Sequence, residues 1–418
     1  MDYKTHNSDL KRDLRLLDAV GIGLGAVIGA GIFVVTGVAA GVAGPAFLVG
    51  LVLAGIAATC NGLSSAQLAS VFPQSGGTYE YGYRLLSPEL GFCAGWMFLI
   101  SKLAAGGVVA LGFGTYFSQL FPVINPKLAA ISAVIVLTSA NYFGIKKAGN
   151  INLVIVAVTL ASLLYFIITG IPSFDSANLK PFAPEGITGI AQSAALLFFA
   201  FTGYARITTL GEEVHEPAKT IPKAVIITLV LSVLLYSATS LVAIGNADAA
   251  SLSGTSAPLS LAASNFRYPG VAFIIGIGAT TAMFGVLLSQ ILGISRMMFA
   301  MSRKHDLPAF LQSVHPRYKV PHAGIFVSAG VIILLSLFGT LQFIVSTASF
   351  TILLYYGITN IAALKLDKKD RRYPNWIAVL GLISCLALAA SLSIKSVTLS
   401  LLLLTLGFTF RWVLKRNV

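Results

Sequence analysis

Carboxylates are scarce in this sequence: 15 Asp and Glu stand against 28 Lys and Arg in 418 residues. Charged residues of both signs make up only 10%, where a soluble domain carries roughly 25%, and an ordinary water-soluble globule is excluded. All 15 acidic residues fall outside the long apolar runs, with Asp18 at the edge of the first, so no buried carboxylate is expected. That removes the usual intramembrane proton carrier, the usual carboxylate ligand for a driving cation and the simplest counter-charge for a cationic substrate. Cysteine is nearly absent. Cys60, Cys93 and Cys385 sit in apolar runs without paired spacing or a neighbouring histidine, which suggests neither a disulfide frame nor a zinc site and reads as packing. His6, His215, His305, His315 and His322 all lie in the N-terminal tail or in connections, so neither a buried metal centre nor a cofactor is expected. No small-residue cleavage site follows the polar first 16 residues, and the first span is expected to stay in the mature protein.

Apolar residues, by contrast, make up 56% and recur in runs of membrane-spanning length. The expected spans are 17–41, 45–70, 90–121, 128–145, 151–171, 188–211, 223–246, 270–301, 323–340, 342–364, 374–394 and 396–414. Twelve spans of about 21 residues leave connections of about 13 on average, too little for a soluble enzymatic domain. The sequence therefore predicts an all-α polytopic membrane protein rather than an enzyme. The net charge of +13 is compatible with nucleic acid or with membrane topology, and its distribution decides for topology. Lys146-Lys147, Arg303-Lys304, the Lys365 to Arg372 cluster and the Arg411 to Arg416 tail fall with the N-terminus on alternate connections. Only Lys127, Lys180, Arg267 and Lys395 fall on the other set. By the positive-inside rule both termini are cytoplasmic, in a cell inner (plasma) membrane.

Two spans are expected to break. The first carries Gly21, Gly23, Gly25, Gly29 and Gly31, and the sixth is interrupted at Thr202-Gly203-Tyr204. Glycine costs a helix about 1 kcal/mol relative to alanine, so a mid-span cluster points to backbone that opens. Gly25 to Gly29 is also a small-xxx-small pattern, and tight helix packing is the competing reading. The positions favour breaks, because the first and sixth spans would each open one of two inverted five-helix repeats. The chain then divides into a tail at 1–16, repeats at 17–171 and 188–364, and two added helices with a tail at 374–418. A dinucleotide-binding reading of the same glycines is discarded, since no strand precedes them.

Gly29-Ala30-Gly31-Ile32-Phe33 with Gly44-Pro45 resembles the first-span signature of the amino acid, polyamine and organocation permease superfamily. Pro73 to Tyr79 with Tyr81, then Gly95-Trp96, resemble its next landmarks. Phe199 to Tyr204 followed by Glu212-Glu213 and Pro217 to Pro222, and Arg296 to Pro308, are similar to its sixth and eighth spans. The resemblance implies a core of the leucine-transporter (LeuT) type, five plus five helices with two added, that moves amino acids by alternating access as a symporter or antiporter.

It also implies a site. Gly29, Ala30 and Gly31 would offer amides to a substrate carboxylate, and carbonyls near Val27, Ile28, Ala200 and Phe201 would receive its ammonium. Thr202 and Gly203 complete the break, and Tyr204 is either an aromatic gate or a packed ring. Lys102, deep in the third span, needs a partner or a role. Desolvation disfavours a charged amine, so it is read either as a resident cation or proton carrier, or as a tie to helix carbonyls. The lysine that some relatives carry on the fifth span is replaced here by Val158 or Thr159. Thr280 and Thr281 offer hydroxyls for a coupling ion, or bond to their own helix. Arg206 either faces the cytoplasmic vestibule or pairs with a group such as Glu212. Gln67 stands where many relatives have glutamate. Neutral amino acids are the expected substrates, with proton coupling or exchange. Cationic amino acids, polyamines or organic cations form the rival class, and a transport-inactive sensor or assembly subunit, or a channel, the other classes. The partners expected are a small-molecule amino acid and the lipid bilayer, with no nucleic acid.

Overall fold

The computed structural model describes residues 14–72, 76–144, 148–208 and 214–416. Among them the chain is helical, and strand pairing is limited to one bridge between Leu14 and Val214. In chain order the helices are α1 (Leu16–Val27), α2 (Thr36–Ala43), α3 (Phe47–Val71), α4 (Thr78–Leu85), α5 (Pro88–Leu120), α6 (Pro126–Phe143), α7 (Ala148–Gly170), α8 (Gly186–Phe201) and α9 (Ala205–Thr208). They continue as α10 (Pro217–Asn246), α11 (Ala249–Ser253), α12 (Pro258–Ser264), α13 (Val271–Arg303), α14 (His322–Phe338), α15 (Leu341–Leu364), α16 (Asn375–Ser391) and α17 (Ile394–Arg416). Nine helical segments among the described residues are long and apolar enough to cross a membrane, with two shorter apolar helices beside them.

Local chemistry sets the boundaries. Ser87 accepts from the Leu90 amide at 3.2 Å ahead of Pro88, and Asn125 accepts from the Lys127 amide at 2.9 Å ahead of Pro126. Each joins an N-cap to a proline in the first turn, where a missing N–H costs nothing. α10 begins six residues before the expected 223 and carries Pro222 inside it. Pro222 lacks the N–H that would bond the Ala218 carbonyl, and Arg372 donates to that carbonyl instead.

α5 packs along α13 and α15, while α3 packs against α8 and α10. Phe33, Tyr116, Phe198, Phe201, Tyr204 and Tyr356 are fully buried between these helices. The outward faces are apolar as well: Ile168, Leu234 and Leu406 are all more than 60% exposed. So much open apolar surface suits hydrocarbon rather than water.

One expectation is corrected. Asp306 lies in the connection after α13, as its sequence position requires, yet it is fully buried. It accepts from Tyr79 at 2.9 Å, from Tyr83, and from Arg411 Nε at 2.7 Å. A loop position does not keep a carboxylate in water when α4 and α17 fold over it.

Candidate functional site

α1 stops at Val27, where Ile28 takes extended angles of φ −78° and ψ 102°. After Gly29 and Ala30 the chain resumes as a π-helical turn, Gly31–Val35, before α2. α8 stops at Phe201 and tightens into a 3₁₀ turn, Thr202–Tyr204, before α9. Such departures from α geometry recur at functional sites. The two interruptions touch. A Cβ on Gly203 would collide with the Ala26 carbonyl, and one on Gly31 would stand 2.5 Å from Ala200 Cα. Glycine is required at both because each backbone fills the space of the other's side chain.

Between the breaks lies a cavity of about 40 Å³, room for about three water molecules. Val27, Gly29, Ala30, Gly31, Ala200, Thr202 and Gly203 line it, together with Ala26, Phe199, Lys102, Ala105, Val109, Val286 and Gln290. An amino acid fits only if the half-helices part. Ile28, Phe201 and Tyr204 do not line it. The Phe201 ring packs 5.3 Å from Tyr236, and the Tyr204 ring packs 5.5 Å from Tyr356. Tyr204 therefore takes, in this conformation, the packed-ring alternative.

Tyr236 of α10 donates its hydroxyl to the Val27 carbonyl at 2.8 Å and lies 3.4 Å from the Ala200 carbonyl. These are carbonyls the sequence marked for a substrate ammonium, and here a phenol meets them both. Tyr356 of α15 approaches the Thr202 carbonyl at 3.4 Å. The freed backbone at the breaks is thus satisfied from neighbouring helices rather than left bare.

Lys102 is brought to the cavity by α5. Its ammonium is 3.5 Å from Thr202 Oγ1 and 5.6 Å from the Phe98 ring centre. Gln290 of α13 donates to the Lys102 carbonyl at 2.5 Å. Among the described residues lining the cavity, no carboxylate faces this cation. Thr280 and Thr281 are not in the lining; Thr281 donates to the Ile277 carbonyl at 2.7 Å. α13 shows Val286 and Gln290 to the break instead, nine or ten residues beyond the threonines at most and about 1.5 Å further per residue. Arg206 is half-buried on α9, its terminal nitrogen 3.9 Å from where a Gly293 Cβ would lie. Its suggested partner Glu212, with Glu213 and residues 73–75, lies outside the described residues. Gln67 is buried and accepts from the Tyr373 amide at 3.3 Å.

The residues that sequence reasoning missed are Val286, Gln290, Ala105, Val109, Phe199, Ala26 and Tyr236. Gln290 carried a readable signal, a polar side chain inside an apolar run. The small and aliphatic ones carried none, since every span is rich in them.

A multi-pass helical membrane protein with two opposed helix breaks is the class that the fold and cavity define. A family profile described as Amino acid permease matches residues 18–414. The chain belongs to that family, and it is a membrane permease rather than an enzyme. An uncharacterized transporter of Mycobacterium tuberculosis is 40% identical to it, over 97% of this chain and 92% of the relative. The branched-chain amino acid permease of Bacillus subtilis is 30% identical over 98% and 94%. A methylthioribose transporter of the same organism is 35% identical over 88% and 84%.

Proposed function

We propose that this permease carries neutral amino acids by alternating access, its twelve spans built as two inverted five-helix repeats with two added helices. The observation that carries this reading is the contact between the broken ends of α1 and α8 around a cavity whose charged lining residue is Lys102. Opened half-helices offer amides to a carboxylate and carbonyls to an ammonium without a charged side chain. A resident ammonium repels a substrate that carries a second positive charge, and no carboxylate among the described lining residues offsets it. Ala105, Val109 and Val286 supply an apolar wall for an aliphatic side chain. The name of the branched-chain relative supports the same class. Lys102 serves as the resident cation whose proton is exchanged during transport, in place of the hydroxyls of Thr280 and Thr281. Both termini face the cytoplasm of the inner membrane.

The test is countertransport in proteoliposomes preloaded with unlabelled solute. Labelled leucine or isoleucine is expected to exchange and to saturate, with neither arginine nor methylthioribose competing well. Absence of any exchange would point to a sensor or assembly subunit, non-saturable flux to a channel, and stronger competition by arginine to the cationic class.

A further inference from the structure

A feature that shares no residue with the cavity between the breaks lies where the last helix meets the start of α5. Trp96 donates to the Leu403 carbonyl at 2.8 Å, and the Phe92 and Phe408 ring centres are 5.2 Å apart, so α17 is clamped to α5 along its middle. Beyond the clamp the helices leave an open groove of about 820 Å³ bounded by Pro88, Glu89, Phe408, Arg411, Trp412 and Lys415. The α17 wall is one helix face at spacings of three and four, and it is graded. Phe408 comes first, then Trp412, 56% exposed, then Lys415, with the Arg416 guanidinium 3.8 Å from the Trp412 ring centre. Seven residues of helix rise about 10 Å, close to the depth over which a leaflet passes from hydrocarbon to headgroup.

The charges at the mouth do not cancel. Arg411 is committed to Asp306 at 2.7 Å and to the Pro88 carbonyl at 3.2 Å, while Lys415 reaches Asp306 only at 3.5 Å. Lys415 and Arg416 together exceed the one remaining carboxylate on the opposite wall, Glu89. An occupant must therefore be apolar at one end and negative at the other, in the order the bilayer imposes. We propose that this groove binds an anionic glycerophospholipid, its phosphate between Lys415 and Arg416 and an acyl chain along Trp412 and Phe408. Basic pockets between helices at the cytoplasmic face hold such headgroups.

Native mass spectrometry of the full-length protein tests this, with phosphatidylglycerol and phosphatidylcholine of matched chains as probes. The parent is expected to retain phosphatidylglycerol about thirty-fold better, as two interfacial cations imply. Lys415→Gln with Arg416→Gln should abolish the preference, while the same charge loss at Lys365 and Lys368 should leave it. Thr409 also lines the groove, and Thr409→Trp, which fills it at constant charge, should lower retention too and serves if the double variant does not fold. Equal retention of both lipids by the parent, equal loss in the Lys365/Lys368 control, or a lipid-free dimer closing over Trp412 would overturn the proposal.

Discussion

Gly203 lies against the Ala26 carbonyl with no room for a methyl group between them. Gly203→Ala must push the two half-helices apart at the cavity, and overpacking of this kind costs about 1–3 kcal/mol. Countertransport is expected to fall by about ten-fold or more, since 1.4 kcal/mol is a factor of ten. The control is Gly330→Ala on α14, where nothing lies within 4 Å. That variant should transport as the parent does and melt at the same temperature or higher. Equal behaviour of the two variants would separate the contact from transport.

Tyr236→Phe removes one hydroxyl and leaves the ring on Phe201. The Val27 carbonyl then loses its 2.8 Å donor, a loss of about 1 kcal/mol in stability. A thermal-shift assay should register that small change. Exchange should fall by more than the stability loss explains, because the phenol fixes the ends of both broken helices. A Phe variant that exchanges at the parental rate would reduce Tyr236 to a packing residue.

Asp306→Asn leaves Arg411 buried without its anion, beside Tyr83 at 3.0 Å, the Pro88 carbonyl at 3.2 Å and the Phe92 ring centre at 4.8 Å. Removing one partner of a buried pair costs about 3–5 kcal/mol, whereas replacing both by neutral groups of similar volume costs far less. Asp306→Asn combined with Arg411→Met should therefore recover at least half of the melting temperature lost by Asp306→Asn alone. Additive losses would show that the pair is not a coupled unit.

Glu80 on α4 gives a pH dependence with a definite sign. Burial pushes its carboxyl up, but hydrogen bonds from Lys304 and Arg84 and their charges outweigh burial and hold it below the ordinary carboxylate value. A carboxyl lowered on folding stabilises at neutral pH, and that stabilisation is lost as pH falls through the folded-state value. Glu80→Gln should lower the melting temperature at pH 7, and the difference from the parent should shrink as the medium is acidified toward the folded-state value. A difference that stays constant would exclude an electrostatic origin.

Long apolar helices were legible because hydrocarbon demands them, and among the described residues nine helical segments reach membrane-crossing length with two shorter apolar helices beside them. The breaks were legible for a related reason: glycine at mid-span has a cost that only a close approach repays, as Gly31 on Ala200 shows. Side-chain direction was not. Tyr204 and Phe201 sit beside Thr202 and Gly203 in sequence, yet the helix turns them toward Tyr356 and Tyr236, away from the cavity. Asp306 was misread because burial of a loop residue depends on distant elements, here α4 and α17, which no local pattern brings together. Tyr236 was missed since an aromatic in an apolar run looks the same whether it packs or donates.

Lys102 is the last case, and its role divides two readings. As a tie between helices it would be replaceable by a neutral residue of similar length; as a resident cation it would not. Among the described residues its ammonium meets Thr202 Oγ1 at 3.5 Å and the Phe98 ring at 5.6 Å, whereas the link between α5 and α13 is made by its backbone carbonyl with Gln290. The side chain is thus dispensable for that link. Lys102→Met should keep the fold, with a melting temperature at or above the parent's, because a half-buried charge is exchanged for a matched apolar chain. Uptake driven by an inward proton gradient should be lost in the same variant, while exchange at equal pH persists in part. Undiminished proton-driven uptake by Lys102→Met would leave the ammonium without a part in coupling.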